Sequence, residues 1–158
     1  MVADNMSYST VSNVVDTWEQ VRRNDNFEEI VGRELFLKFF ALEPDAMVIF
    51  ELDPESNLET LSKSCRFVKH SSYVIKMIDK TLAMLGPDCE LLTEVLLELG
   101  QKHFCYGVKP EYYLSMGRAL IHVVETVLGE SRFTPEVKDS WVEVYGAFSY
   151  DLIRAQKM

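Results

Sequence analysis

Hydrophobic residues along this chain of 158 residues recur every three or four positions, which is the spacing of one face of an α-helix. Strict alternation of apolar and polar residues, the pattern of half-buried strands, is nearly absent. Turn residues divide the chain into segments of helical length, without repeats or low-complexity tracts. The pattern therefore predicts an all-α protein of about seven to eight helices, with a polar extension over residues 1–10 and one domain over residues 11–158.

Capping residues, prolines and glycines predict where these helices begin and end. In the first half, we expect a helix capped by Thr10 or Ser12 that ends near Arg23, a helix from about Phe27 to Leu42, a short turn from Asp45 to Phe50 and a loop from Asp53 to Asn57. In the second half, we expect helices from about Ser62 to Gly86, from Pro87-Asp88 to about Phe104, from Pro110 to Gly129, and from Pro135 onward with Thr134 as its cap.

The charge of the chain argues against several classes of partner. Its formal net charge is -9 at pH 7, and its basic residues are scattered, so we expect neither nucleic acid nor an anionic membrane as a partner. The N-terminus lacks the features of a signal peptide, and no apolar run approaches about eighteen residues. Cys65, Cys89 and Cys105 form no CxxC pair, which favours free thiols in a reducing compartment. We therefore expect a cytoplasmic protein.

Two of the three histidines lie on apolar helical stripes, which predicts that both point into the core. His103 continues a stripe through Leu99, and His70 lies between Phe67 and Val74 on the preceding helix. Each could be a core histidine that a backbone carbonyl satisfies. Zinc would need more ligands at short spacing, whereas haem needs only one or two because the porphyrin supplies four nitrogens. The residues alone leave the structural and the haem interpretations open.

Several segments resemble globins. The stretch from Leu35 to Phe50 and the segments Leu99-Gly100-Gln101-Lys102-His103 and Gly107-Val108-Lys109 resemble neuroglobins. The stretch from Val108 to Tyr113 resembles bacterial haemoglobins and flavohaemoglobins, and both groups share Phe133-Thr134-Pro135, Trp141 and Tyr145-Gly146. The resemblance runs from Trp18 to about Phe148. Its most specific residues are Phe50, His70 and His103.

This resemblance implies a globin fold around one haem b, held without a covalent bond because the chain has no Cys-x-x-Cys-His motif. His103 would be the proximal iron ligand, oriented by a backbone carbonyl one turn earlier in its own helix. His70 would be the distal histidine, and Phe50 would stack on the haem face. The other implied haem contacts are Phe36, Tyr73 and Val74 on the distal side, Leu99 beneath the ring, Val108, Tyr113 and Met116 on the far walls, and Lys102 or Lys69 at a propionate.

The chain also departs from these relatives. Flavohaemoglobins carry a distal tyrosine where this chain has Phe36, and we expect no flavin or nicotinamide domain after Met158. We therefore do not expect self-contained nitric oxide dioxygenase activity. Neuroglobins carry a propionate-binding lysine where this chain has Tyr73, and the loop between Phe50 and His70 is slightly shorter here. His122 has no assigned chemistry, so we expect a structural or surface role.

The predicted function is the binding of O2 and other diatomic gases such as NO and CO, with His70 as a reversible sixth iron ligand. In neuroglobins that bis-histidyl state prevails, but the distal histidine could instead donate a hydrogen bond to the gas. Two alternatives stay open. One is a redox enzyme that consumes nitric oxide or reduces nitrite with an external reductase, and the other is a gas or redox sensor. We expect a monomer or a weak homodimer.

Overall fold

A computed structural model of the chain describes residues 6–87 and 89–157, and it contains seven α-helices and one 3₁₀ helix. No strand occurs in these two ranges, so the all-α prediction is confirmed. In chain order the elements are α1 (Tyr8–Arg22), α2 (Phe27–Leu42), the 3₁₀ helix (Pro44–Phe50), α3 (Leu58–Leu61), α4 (Cys65–Met84), α5 (Cys89–Cys105), α6 (Pro110–Leu128) and α7 (Pro135–Gln156).

Prolines and caps begin the later helices where the sequence predicts. α6 and α7 start at Pro110 and Pro135, whose missing N–H would have no helical partner at that position. The Val137 N–H donates to the Thr134 hydroxyl at 3.2 Å, as expected of a capping residue. α2 has the predicted bounds.

The prediction for the start of the first helix is wrong. Ser7 caps α1, because its hydroxyl accepts the Thr10 N–H at 3.1 Å, so Thr10 and Ser12 lie inside the helix. The predicted boundary at residue 10 therefore falls within α1. Residues 1–5 lie outside the described part of the chain.

The segment before His70 also differs from the prediction. Asn57 caps the short helix α3 by accepting the N–H groups of Glu59 and Thr60, and Ser64 then caps α4 by accepting the Phe67 N–H. The helix expected from about Ser62 therefore begins at Cys65, and the short helix α3 precedes it where no helix was predicted. At the other end of α4 the break at Gly86 is present, with φ of +100°, while Asp88 lies outside the described residues.

Two glycines allow helices to cross at backbone contact. A Cβ atom placed on Gly32 of α2 would lie 2.6 Å from the Ser71 carbonyl oxygen of α4. A Cβ atom on Gly100 of α5 would lie 2.5 Å from the Leu152 carbonyl oxygen of α7. Neither carbonyl belongs to a flexible side chain that could move aside. These two crossings set the positions of α4 and α5, the helices that carry His70 and His103.

Substitution of these glycines tests the crossings. We expect Gly32→Ala and Gly100→Ala each to lower the free energy of unfolding by about 1–3 kcal/mol, because a helix must shift to accept the methyl group. Gly146→Ala is the matched control: it lies within α7 with nothing within 4 Å of the added carbon, so it should gain about 0.5–1 kcal/mol. Urea denaturation measures all three. Equal stability of Gly100→Ala and Gly146→Ala would contradict the close crossing.

Candidate functional site

A cavity of about 600 Å³ opens between α2, the 3₁₀ helix and α4, a size suited to a small molecule or cofactor. Its walls are largely aromatic, and the few charged groups are two cations and one carboxylate. The lining residues are Phe36, Phe40, Ile49, Phe50, Glu51, Leu52, Arg66, Phe67, Lys69, His70, Ser71, Tyr73 and Tyr106.

His70 lies against aromatic rings at this cavity. Its ring centroid is 4.5 Å from that of Phe50 and 5.7 Å from that of Phe36, and both pairs meet edge to face. Phe36 comes from the middle of α2 and Phe50 from the end of the 3₁₀ helix, so three elements meet at this histidine. The prediction that His70 is buried is wrong, because its face of α4 borders the open cavity and the residue is exposed there.

The electrostatic surroundings of His70 favour its neutral form. Desolvation lowers the pKa of His70 below its ordinary value, and the positive charge of Arg66, one helical turn earlier, lowers it further. Arg66 also forms an ion pair with Glu51, the residue that follows Phe50. The neutral imidazole is the form that can coordinate a metal through one nitrogen and donate through the other.

His103 is oriented by its own helix. Its Nδ1 lies 2.7 Å from the carbonyl oxygen of Leu99, one turn earlier, which confirms the predicted hydrogen bond. Since a carbonyl can only accept, Nδ1 carries the hydrogen and Nε2 keeps a free lone pair. Desolvation lowers the pKa of His103, while the bond to Leu99 raises it to a smaller extent. This partly buried imidazole is therefore prepared as a metal ligand through Nε2.

Two tyrosines flank His103. The Tyr113 ring on α6 is tilted against it at 6.0 Å between centroids, and the Tyr106 ring meets it edge to face at 6.2 Å. Tyr106 also lines the cavity and so connects the two histidine regions, although His103 is not itself a lining residue. Burial raises the pKa of Tyr113 to about 12, so its hydroxyl stays neutral.

The other predicted haem contacts fall into two groups. Phe36, Phe50 and Tyr73 line the cavity with His70. Four further residues do not line it and are half-buried against the core, namely Val74, Leu99, Val108 and Met116. Lys102 is exposed and forms an ion pair with Glu98 at 3.0 Å, and the hydrogen bond to Glu98 is the main cause of its raised pKa. The role of each residue toward a haem stays a prediction.

Sequence reasoning missed several residues of the cavity. Arg66 precedes His70 by one helical turn and shares its face, a spacing that could have indicated it. Tyr106 follows the end of α5 and reaches the cavity from the other side, which no local pattern signals. The chain turns sharply just after Phe50, at Glu51, whose φ is +58°. This turn brings Ile49, Glu51 and Leu52 to the wall of the cavity.

The rest of the described chain offers no competing metal site. Within residues 6–87 and 89–157, no group of three or more His, Cys, Asp or Glu side chains could hold a metal ion. His122 is exposed on α6, as expected for a surface histidine. Cys65 and Cys105 are exposed free thiols, and the side chain of Cys89 lies outside the described residues. The described helices include none that could cross a membrane.

The residues present fit a haem. One imidazole offers a free Nε2, a second imidazole stands at an aromatic cavity, and Lys69 and Arg66 at the cavity could meet carboxylates. This donor set suits an iron porphyrin better than a bare metal ion, because the porphyrin supplies the remaining ligands.

Known proteins with similar sequences include neuroglobins. The chain is 28% identical to neuroglobin of Tetraodon nigroviridis over 131 residues, which cover 82% of this chain and 79% of that protein. It is 30% identical to neuroglobin of Danio rerio over 132 residues, with the same coverage. A solved structure of a hexacoordinated heme protein from an anhydrobiotic tardigrade, at pH 4, shares the fold with a TM-score of 0.85 at 18% identity, covering 98% of this chain and 97% of that one. The globin family profile matches residues 33–152, and the chain therefore belongs to the globin family.

Proposed function

We propose that this globin binds one haem b without a covalent bond and uses it to bind O2 and other diatomic gases such as NO and CO. The observation that carries the proposal is the hydrogen bond from His103 Nδ1 to the Leu99 carbonyl, at 2.7 Å. It fixes the tautomer and the orientation of the ring, and it leaves Nε2 free to serve as the iron ligand. Haem, when bound, supplies an iron that takes up small gases reversibly.

The side chains of the cavity would surround this group with apolar walls. Phe50 would stack on the macrocycle, and Phe36 would close the distal side without offering a hydrogen bond. Lys69 and Arg66 at the cavity would pair with the propionates, and Tyr73 would add a neutral hydroxyl near that edge. Lys102 would do so only by leaving its ion pair with Glu98. With a haem filling the cavity, the aromatic walls would exclude water and strengthen any hydrogen bond that His70 makes.

His70 would serve as a reversible sixth iron ligand when no gas is present. The lowered pKa of His70 supports a neutral imidazole. Among the described residues, this imidazole contacts two aromatic rings and has no hydrogen-bond partner. An incoming gas must then displace an intramolecular ligand, so apparent affinity falls with the fraction of open sites. The resemblance to neuroglobins also supports this bis-histidyl state. The exposed thiols of Cys65 and Cys105 fit a reducing, cytoplasmic setting.

Replacement of the proximal ligand tests the haem assignment. We expect His103→Ala to lose most of its haem, with partial recovery on addition of imidazole, because the only proximal nitrogen is removed. Absorbance per mole of purified protein measures the haem content. His122→Ala, which changes an exposed histidine on α6, should keep the haem content of the unaltered protein. Normal haem retention by His103→Ala would contradict the assignment.

Replacement of Phe50 tests the stacking. We expect Phe50→Ala to speed haem loss more than it destabilises the protein without haem, because Phe50 is only half-buried in the protein itself. Phe39→Ala is the control: Phe39 is buried and does not line the cavity, so its removal should cost about 3–5 kcal/mol in either form. Haem transfer to an acceptor protein and urea denaturation give the two quantities. Equal destabilisation of both forms by Phe50→Ala would show that the stacking is wrong.

The coordination of His70 is tested by absorption spectra. We expect the ferrous protein without gas to show two sharp low-spin visible bands, which His70→Leu should replace with one broad high-spin band. His122→Leu makes the same change at an exposed site and should leave both bands in place. A broad band in the unaltered protein would refute the sixth-ligand role and leave the His103 assignment intact.

A further inference from the structure

The last turn of α7 is connected to the segment that follows His103. Gln156 Nε2 donates to the carbonyl oxygen of Val108 at 3.3 Å and to the hydroxyl of Tyr113 at 2.9 Å. The Val108 N–H in turn donates to the carbonyl oxygen of His103 at 3.0 Å. Gln156 is thus joined to His103 through Val108, and it also holds the tyrosine whose ring lies against the His103 imidazole.

The chemistry of the partners fixes how this amide is arranged. Because the Val108 carbonyl can only accept, the NH2 group of Gln156 must face it rather than the amide oxygen. The second N–H is then directed to the Tyr113 oxygen. One side-chain amide therefore holds two groups at once, and both lie beside the proximal histidine.

Helix α7, which carries Gln156, also holds the backbone of Tyr113. The Tyr145 hydroxyl of α7 donates to the Tyr113 carbonyl oxygen at 2.6 Å. Gly117 makes room for this contact, because any Cβ at that position would clash with the Tyr145 ring. Both the backbone and the hydroxyl of Tyr113 are thus fixed by α7, so its ring has little freedom against His103.

We propose that Gln156 is a positioning residue for the iron ligand, acting through Tyr113 and Val108 to hold the imidazole of His103 in one orientation. This inference rests on the proposed haem binding. It assigns a role to the C-terminal turn of α7, which contacts the segment that follows His103. Loss of the amide would release the Tyr113 ring and the Val108 segment, and His103 would then adopt a spread of orientations.

The iron–histidine stretching band in resonance Raman spectra of the ferrous, gas-free protein reports this orientation directly. The band is best recorded in a His70→Leu background, where the iron keeps only the proximal histidine. We expect Gln156→Leu and Tyr113→Phe each to broaden and shift the band. The double variant should change it no more than the larger single change, because both substitutions remove the same hydrogen bond. Haem loss should become about three- to tenfold faster in Gln156→Leu.

Lys157→Leu is the matched control, since it places the same side chain on the next residue, which is exposed. It should leave the band and the rate of haem loss unchanged. A Gln156→Leu band identical to that of the control would overturn the inference, as would additive changes in the double variant. These outcomes are distinct from failure of the proposed function, in which the unaltered protein would purify without haem.

Discussion

The structure of the candidate site depends on the close crossing of α5 over α7 at Gly100. The missing side chain lets the two backbones touch, with the Leu152 carbonyl at the position a Cβ atom would need. Gly100 directly follows Leu99, whose carbonyl accepts the Nδ1 hydrogen of His103. The crossing therefore holds the turn that orients the His103 imidazole. A larger residue would push α5 outward and carry both the hydrogen bond and the ring with it.

A matching crossing lies beside His70. Gly32 of α2 meets the carbonyl of Ser71, the residue that follows His70 on α4. The same stretch of α2 supplies Phe36, one turn later, as the ring that meets His70 edge to face. Each histidine is thus placed beside a backbone contact between helices, where the scaffold is least free to move. Such rigidity suits a site in which an iron must be held to within a fraction of an ångström.

The sequence predicted those features that depend on local chemistry. Proline at the first helical position placed the starts of α6 and α7, and helical spacing put His70 and His103 on faces that reach the site. The bond from His103 to Leu99 was also predictable, because it lies within one turn of one helix. By contrast, Ser7 was missed as a cap since several polar residues near it compete for that role. Gln156 and Tyr106 were missed because their contacts join parts of the chain that only the fold brings together.

The two histidines differ in what holds them, and this difference bears on their roles. His103 is fixed by a hydrogen bond from Nδ1 to a backbone carbonyl, and the tyrosine beside it is held by α7. His70, among the described residues, is held only by ring contacts with Phe36 and Phe50, which restrict tilt but supply no directional bond. Rotation of His70 therefore breaks no hydrogen bond, whereas rotation of His103 would break one worth about 1 kcal/mol and leave a polar group unpaired. This asymmetry favours His103 as the permanent ligand and His70 as the one that can leave.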